Sequence, residues 1–513
     1  MERKIFSSGH RSMWMNKFKQ FGLTIDQIFQ AAFSPDAEKT HLWLPIIWIG
    51  SLILAGAILW GIFFNWGNIP FDYMDWAEVW AARMQAWRDA LLNNTIPFHL
   101  SDVAAMRTES DRYFAVADMV SSPQVLLLRW LEVGPYTLVN NLFLYGIASY
   151  YLLRIRKKYN LSLYAFSLLF FLFHFNGFIV THLSIGHLSW GGYYLFPAFV
   201  LFVMELLEGD RSWQWVAKMA VLLFFIFMQG SFHHQIWSAI VLGIIALIRW
   251  RYASQILKAG VFAILLSTPR ILPVFFEMGP KISGGHDFLG GYPSLRNLVL
   301  ALTYNSTPDN AWPGLVFDSR LGYWEFDIFT GWVGLIFLFG FGGLAMAFWH
   351  YRERKFPVLV VPVLALVFLS IGDNFLKALF YNPVLVSSER VASRMIGLAL
   401  VIGLILSAIY YQKTLDRVRK STVLQLAQVV FLLVLAKDLV LHTLRWSVAN
   451  AYLALGVTRR DLSSVHISNH PDPDYFLALG IGAFVSILTM VFLVWVVRNE
   501  SAVIKSKTPL ETP

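Results

Sequence analysis

From residue 42 to residue 497 the sequence repeats one pattern, an apolar run of about 17–25 residues followed by a polar connection. At 1.5 Å of rise per residue, a helix of that length matches the hydrocarbon thickness of a bilayer. Lipid offers no partner to a bare backbone N–H or C=O, so only helices and closed barrels can span it. These runs are continuous rather than alternating, which selects helices. The chain therefore reads as an all-α polytopic membrane protein. About twelve runs are counted, at 42–66, 135–153, 161–181, 189–207, 213–230, 234–250, 256–276, 328–349, 357–372, 393–411, 422–441 and 476–497. The segments around 176–190 and 229–236 also suit re-entrant pieces. Composition agrees. Mean hydropathy is +0.55 and charged residues make up 14%, where a soluble chain carries about 25%.

Lys and Arg set the orientation. They collect in 1–20, 154–158, 210–218, 249–258, 350–355, 413–420 and 498–507, and all of these fall on one side of the scheme. The positive-inside rule makes that side cytoplasmic, with both termini inside, in a membrane expected to be bacterial or archaeal. The net charge of +9 is topology information and not a nucleic-acid signal. Residues 1–41 form a basic N-terminal segment, amphipathic over Met13–Phe33 and without the compact core of a signal peptide. Residues 42–497 form the membrane domain and 498–513 a tail. The chain has no Cys, so thiolate chemistry and disulfides are excluded.

Four long connections, 67–122, 277–326, 373–392 and 443–474, then face outward. The first is unusual, because about 55 polar residues with helical periodicity exceed an ordinary connection. Between Tyr73 and Leu92 apolar residues recur at helical spacing (Met74, Ala77, Trp80, Met84, Trp87, Leu91), which predicts an amphipathic helix lying in the membrane interface. Asp72 and Asp75, three apart, would share one face of it. With this topology His99, His182, His187, His233, His234, His286, His442, His466 and His470 map to the outer side, together with Asp72, Asp75, Glu277, Glu325, Asp327, Arg270, Arg390 and Arg394. Ionisable groups in or beside apolar helices are costly unless they pair or face a cavity. The expectation is a polar cavity opening outward.

Each of these residues also has an ordinary structural use. Asp72 or Asp75 would cap a helix, worth about 1 kcal/mol. Arg270, between Pro269 and Pro273, would satisfy carbonyls freed at a kink. His233 and His234 are adjacent and diverge by about 100° on a helix, so they cannot share one metal ion. His182 and His187, five apart across a turn containing Gly186, could converge on a divalent metal, although no cofactor is certain. GxGxxG, Walker-lysine, HExxH and nucleophile-elbow patterns are absent from the sequence.

Four segments carry a resemblance: FDYMDW…RDALLNNTIPF in the first outer loop, SPQVLLLRWL before the second run, WEFDIFTGWVGLI entering the eighth, and NPVLVSSERVASRMIGLAL at the tenth. Across about 70–410 the chain resembles the GT-C superfamily of integral-membrane glycosyltransferases, especially its bacterial YfhO-like branch. Two departures are visible. Asn93–Asn94 replace the usual Gly before Pro97, and no Pro separates Arg390 from Arg394. The resemblance implies transfer of a sugar from a polyprenyl-phosphate carrier to an acceptor on the outer face, with inversion. It implies Asp75 or Asp72 as the general base. Arg390 and Arg394, four apart on one helix face, would bind the departing phosphate, with Arg270 as a further candidate. His182, His187, His233, His234 and Glu325 are the other cavity candidates. The partners implied are the lipid-linked sugar and the bilayer; the acceptor is open. Two other readings stand beside this one, a transporter or flippase of a lipid-linked or anionic solute, and a non-catalytic, cofactor-binding membrane subunit.

Overall fold

The computed structural model describes residues 32–35, 43–103, 110–278, 287–309, 320–345, 347, 357–372, 389–418, 421–457 and 465–507. Residues 13–31 of the amphipathic segment expected at Met13–Phe33, and residues 373–388 of the loop 373–392, lie outside these residues. Within them the chain is helical, and β pairing is limited to isolated bridges.

Each apolar run becomes a helix or a pair of helices. The first is α1 (Trp43–Phe63), and α2 (Ala81–Leu92) follows in the outer loop. Next come α3 (Val133–Lys158), α4 (Leu163–His174), α5 (Gly177–Ser184) and α6 (Phe196–Leu207). The chain continues with α7 (Trp213–Met228), α8 (Phe232–Ile248), α9 (Ala253–Leu266) and α10 (Thr268–Met278). A short α11 (Leu295–Ala301) precedes α12 (Gly331–Phe337), α13 (Val360–Leu369) and α14 (Ile396–Leu415). The last are α15 (Thr422–Arg445), α16 (Val448–Leu455) and α17 (Pro473–Lys507). Among the described residues, six stretches are long and apolar enough to cross a membrane: 43–63, 163–184, 188–207, 392–415, 422–445 and 473–500. A seventh would be the pair α9–α10, bent by 73°.

Polar side chains mark the starts of several helices. Ser162, Asn176 and Ser212 each accept a hydrogen bond from the backbone N–H three residues on, which satisfies a donor the first turn would leave bare. Asn176 does this between α4 and α5 and so breaks one apolar run into two helices. Burial sorts the helices into centre and rim. The 163–184 and 188–207 stretches are each 94% buried and 392–415 is 89%, whereas 422–445 is only 17% and 473–500 only 22%. Apolar helices that remain that bare need lipid around them.

The first long loop carries the expected helix, as a π-turn (Trp76–Trp80) running into α2, and that helix packs against the bundle. Trp76, Trp80 and Arg83 are at most 1% exposed. Both faces have partners, since α2 packs on α3 and on the 3-10 turn Pro123–Arg129. Arg83 bonds Asp118 at 3.0 Å, and the Trp87 indole donates to the Val120 carbonyl at 3.1 Å. At the far end Asn94 has φ +56°, the left-handed geometry that Asn accepts in place of Gly. Beyond it the loop pairs with the chain's last loop: the Ser101 amide donates to the His466 carbonyl at 2.9 Å, and the Ser468 amide to the His99 carbonyl at 3.2 Å.

Candidate functional site

The most buried helices end or begin at one cluster of polar groups. Its nearest approach to solvent is Asp75, at the start of the π-turn. Asp75 makes no capping hydrogen bond. Its Oδ2 lies 2.9 Å from His187 Nε2, and the carboxylate side chain is 22% exposed. Met74, just before it, sits at φ +45°, a conformation non-glycine residues seldom adopt. Two further contacts fix this loop: the Tyr73 hydroxyl and the Trp76 indole N–H both donate to the Ser184 carbonyl, at the end of α5.

The turn from α5 to the 3-10 segment Leu188–Leu195 can approach so closely because of Gly186. It has φ +101°, and a Cβ there would lie 2.6 Å from the Trp76 nitrogen and 3.0 Å from the Asp75 carbonyl carbon. Only glycine tolerates both the dihedral and the proximity. His187 is thereby brought onto Asp75.

Hydrogen bonding then fixes the proton on His187. The Trp190 indole, a donor with no acceptor, gives its N–H to His187 Nδ1 at 2.7 Å. His187 Nδ1 therefore holds the lone pair, and Nε2 carries the hydrogen directed at Asp75. His182 Nδ1, 3.1 Å from the same His187 Nδ1, is in turn the protonated nitrogen of its ring. That leaves His182 Nε2 as a lone pair, buried and without a partner.

Glu325 and Arg394 close the other side. Glu325 ends the 3-10 turn Tyr323–Glu325, tied to α5 through the Thr181 hydroxyl donating to the Trp324 carbonyl at 3.2 Å. Arg394 lies in the 3-10 turn Ala392–Met395 that feeds α14. Its Nε and Nη2 donate to the two Glu325 oxygens at 2.7 and 2.6 Å, and the guanidinium sits 5.5 Å from the Trp190 ring. Burial by itself would raise the Glu325 carboxyl; the Arg394 guanidinium outweighs it and holds the group well below the usual carboxylate range. Trp190 stacks on His182 at 4.4 Å and meets His234 edge-on at 4.6 Å. At the start of α8, His233 Nδ1 lies 2.8 Å from Glu389, which also accepts from the Trp237 indole at 3.0 Å. His233 and His234 diverge as expected: His234 turns away from Glu389 and both its ring nitrogens are buried without partners.

Seven residues expected from the sequence thus meet in one network: Asp75, His182, His187, His233, His234, Glu325 and Arg394. Three expectations change. Arg390 and Arg394 do not share a helix face, because the chain at 390–392 pairs with 289–290, the Leu289 amide donating to the Arg390 carbonyl at 2.8 Å and the Ala392 amide to the Gly290 carbonyl at 2.7 Å. Arg394 is no open phosphate clamp either, since two of its nitrogens are committed to Glu325. Arg270 is 1% exposed and donates to the carbonyls of Phe227, Val116 and Ala117 at 3.1, 2.8 and 2.8 Å, so it ties the first long loop to α7. Asp72 stands apart, with the Tyr452 hydroxyl 3.5 Å away. Trp190, Trp237 and Glu389 escaped the sequence reading. Glu389 had a signal, as the single acid of NPVLVSSERVASR; the two indoles, among 20 Trp, had none.

His182, His187 and Glu325 also offer three donor atoms within 4.8 Å of one another. A metal ion fits them poorly. Both Glu325 oxygens already accept from a guanidinium whose charge would repel the ion, and His187 Nδ1 already accepts an indole hydrogen. Compared with family models, curated proteins and solved structures, the chain matches none.

Proposed function

We propose that this chain is a membrane glycosyltransferase that moves a sugar from a polyprenyl-phosphate donor to an acceptor at the extracytoplasmic face. One observation carries the reading: a partly exposed carboxylate, Asp75, is held by a histidine that can only donate to it and that leads back to a buried Glu325–Arg394 pair. Asp75 takes the proton from an acceptor hydroxyl as its oxygen bonds to the anomeric carbon. The bond from that carbon to the phosphate oxygen breaks on the opposite side, with inversion, and the carrier leaves as polyprenyl phosphate. The Arg394 guanidinium, held by Glu325 through Nε and Nη2, supplies positive charge beside the place where phosphate charge develops. The network gathers where helices end or begin, at the end of α5, the start of α8 and the turns before α12 and α14.

The same reading includes about twelve crossings with both termini cytoplasmic, as the basic clusters require. Because the chain has no Cys, single Asn93→Cys and Lys157→Cys variants report sidedness directly, with Asn93→Cys labelled only from outside. The chemical test is purified protein in proteoliposomes with a panel of polyprenyl-phosphate sugars. Asp75→Asn should lower transfer by about two to four orders of magnitude while the protein still folds. Full transfer by Asp75→Asn would end the assignment.

A further inference from the structure

A second polar cluster lies where the first outer loop meets the last. His99, Asp111 and His470 place one ring nitrogen of each histidine and one carboxylate oxygen within 4.8 Å of one another. The bridge Leu100↔Ile467 joins the two loops, and the bridge His99↔Arg112 closes the first loop on itself. The Asn469 side-chain oxygen accepts from the His99 amide at 2.9 Å.

Hydrogen bonding assigns the protons here too. Asp472 Oδ2 lies 3.2 Å from His99 Nε2 and 2.7 Å from Arg112 Nε. A carboxylate bound to a guanidinium is an acceptor, so His99 Nε2 carries the hydrogen and Nδ1 the lone pair. The His99 side chain is 0% exposed and that Nδ1 has no partner. His470 Nδ1 lies 3.0 Å from the Ser468 carbonyl, which can only accept, so the His470 lone pair is on Nε2. That Nε2 sits 3.7 Å from Asp111 Oδ2. With His470 neutral, three lone-pair atoms lie within 4.8 Å of one another, while the two rings face each other with centroids 4.0 Å apart and planes 30° apart. The set closes on a cation by turning the exposed His470 ring, whereas a protonated His470 donates Nε2–H to Asp111 instead. Among the described residues, Asp111, Asp472 and Glu277 surround the guanidinium of Arg112, which bonds Glu277 at 2.7 Å.

We propose that His99 Nδ1, His470 Nε2 and Asp111 bind a divalent transition-metal ion of the zinc type, which fastens the first outer loop to the last. Two imidazoles and one carboxylate with water as fourth ligand suit zinc and its neighbours rather than calcium or magnesium. The bond from His99 Nε2–H to Asp472 is the arrangement by which an outer carboxylate orients a metal-binding histidine. Tetrahedral bonds of about 2.1 Å require donor atoms about 3.4 Å apart, so the set closes inward on binding. The side chains that must move, His470 and Asp111, are 48% and 35% exposed.

The test uses the full chain in detergent micelles, stripped with chelator and titrated with Co(II), read by its visible d–d bands, with metal content of the untreated protein measured in parallel. His99 is buried, so the variants are H470A and D111N, whose positions are accessible. One ion per chain is expected, with affinity at least tenfold weaker in each variant. No retained metal and no Co(II) bands would overturn the proposal. So would equal affinity in H470A, or loss of binding in H182A with H470A unaffected, since the ion would then belong to the other histidine group.

Discussion

Replacing Glu325 by Gln keeps the shape of the side chain and removes the charge opposite Arg394. The pair is bidentate, and its side chains are 5% and 14% exposed. Breaking such a buried pair from one side costs about 3–5 kcal/mol, because the remaining charge is stranded. Glu389 and Asp75 also attract the Arg394 guanidinium and offset part of the loss. The expected cost is therefore at the low end, about 3 kcal/mol, or more than a hundredfold in the folding equilibrium. The double variant Glu325→Leu with Arg394→Met removes both charges and should return to within about 1 kcal/mol of the native protein. Glu389 is not stranded by it, since His233 and Trp237 still bond it. Reversible unfolding in mixed micelles measures the cycle. The folded Glu325 carboxyl lies below its unfolded value, so the pair's contribution is present above the ordinary carboxylate range and fades only on strong acidification. The cost of Glu325→Gln should accordingly be flat between about pH 5 and 8. The double variant should fold and yet fail to transfer sugar. A cost for Glu325→Gln below about 0.5 kcal/mol would refute the pairing argument.

Other expectations are equally direct. Gly186→Ala should cost about 2–4 kcal/mol, from a left-handed dihedral and a clash on Trp76, with faster hydrogen exchange at 73–80 as the readout; unchanged exchange would contradict it. Arg270→Met strips the donor from three carbonyls, each worth about 1 kcal/mol or more when buried, and should speed exchange at 113–120. Burial would raise the Asp472 carboxyl, but His99 and Arg112 hold it below its usual range. Its contribution is therefore present at neutral pH and lost as pH falls through that lowered value. Amides of Ser101 and Ser468 should exchange faster below about pH 4, and Asp472→Asn should reproduce this at neutral pH.

The helices were legible because lipid makes backbone satisfaction a local matter: each apolar run had to close its own hydrogen bonds. Asp75, the outer histidines, Glu325 and Arg394 were legible as charges in costly places. Their pairing was not. That Arg394 would turn to Glu325 rather than stand beside Arg390 depends on 390–392 being drawn into pairing with 289–290. The amphipathic pattern of 73–92 was read as an interface because periodicity shows that two faces differ, not what each will meet. Arg270 likewise announced a demand for partners without saying that Val116 and Ala117, over 150 positions away, would supply them.

The Glu325–Arg394 pair also sets an order of events during synthesis. The partners are separated by 69 positions. At about 5–20 residues per second, Glu325 leaves the ribosome roughly 3–14 s before the arginine that neutralises it. During that interval the growing chain holds a carboxylate beside an unfinished bundle, and the next segments must insert around it. Asp75 waits longer still, for His187 and then for the rest of the network. Ribosome pausing or a stop codon between 325 and 394 would therefore leave a nascent chain with an uncompensated acid next to α5, a natural mark for membrane quality control.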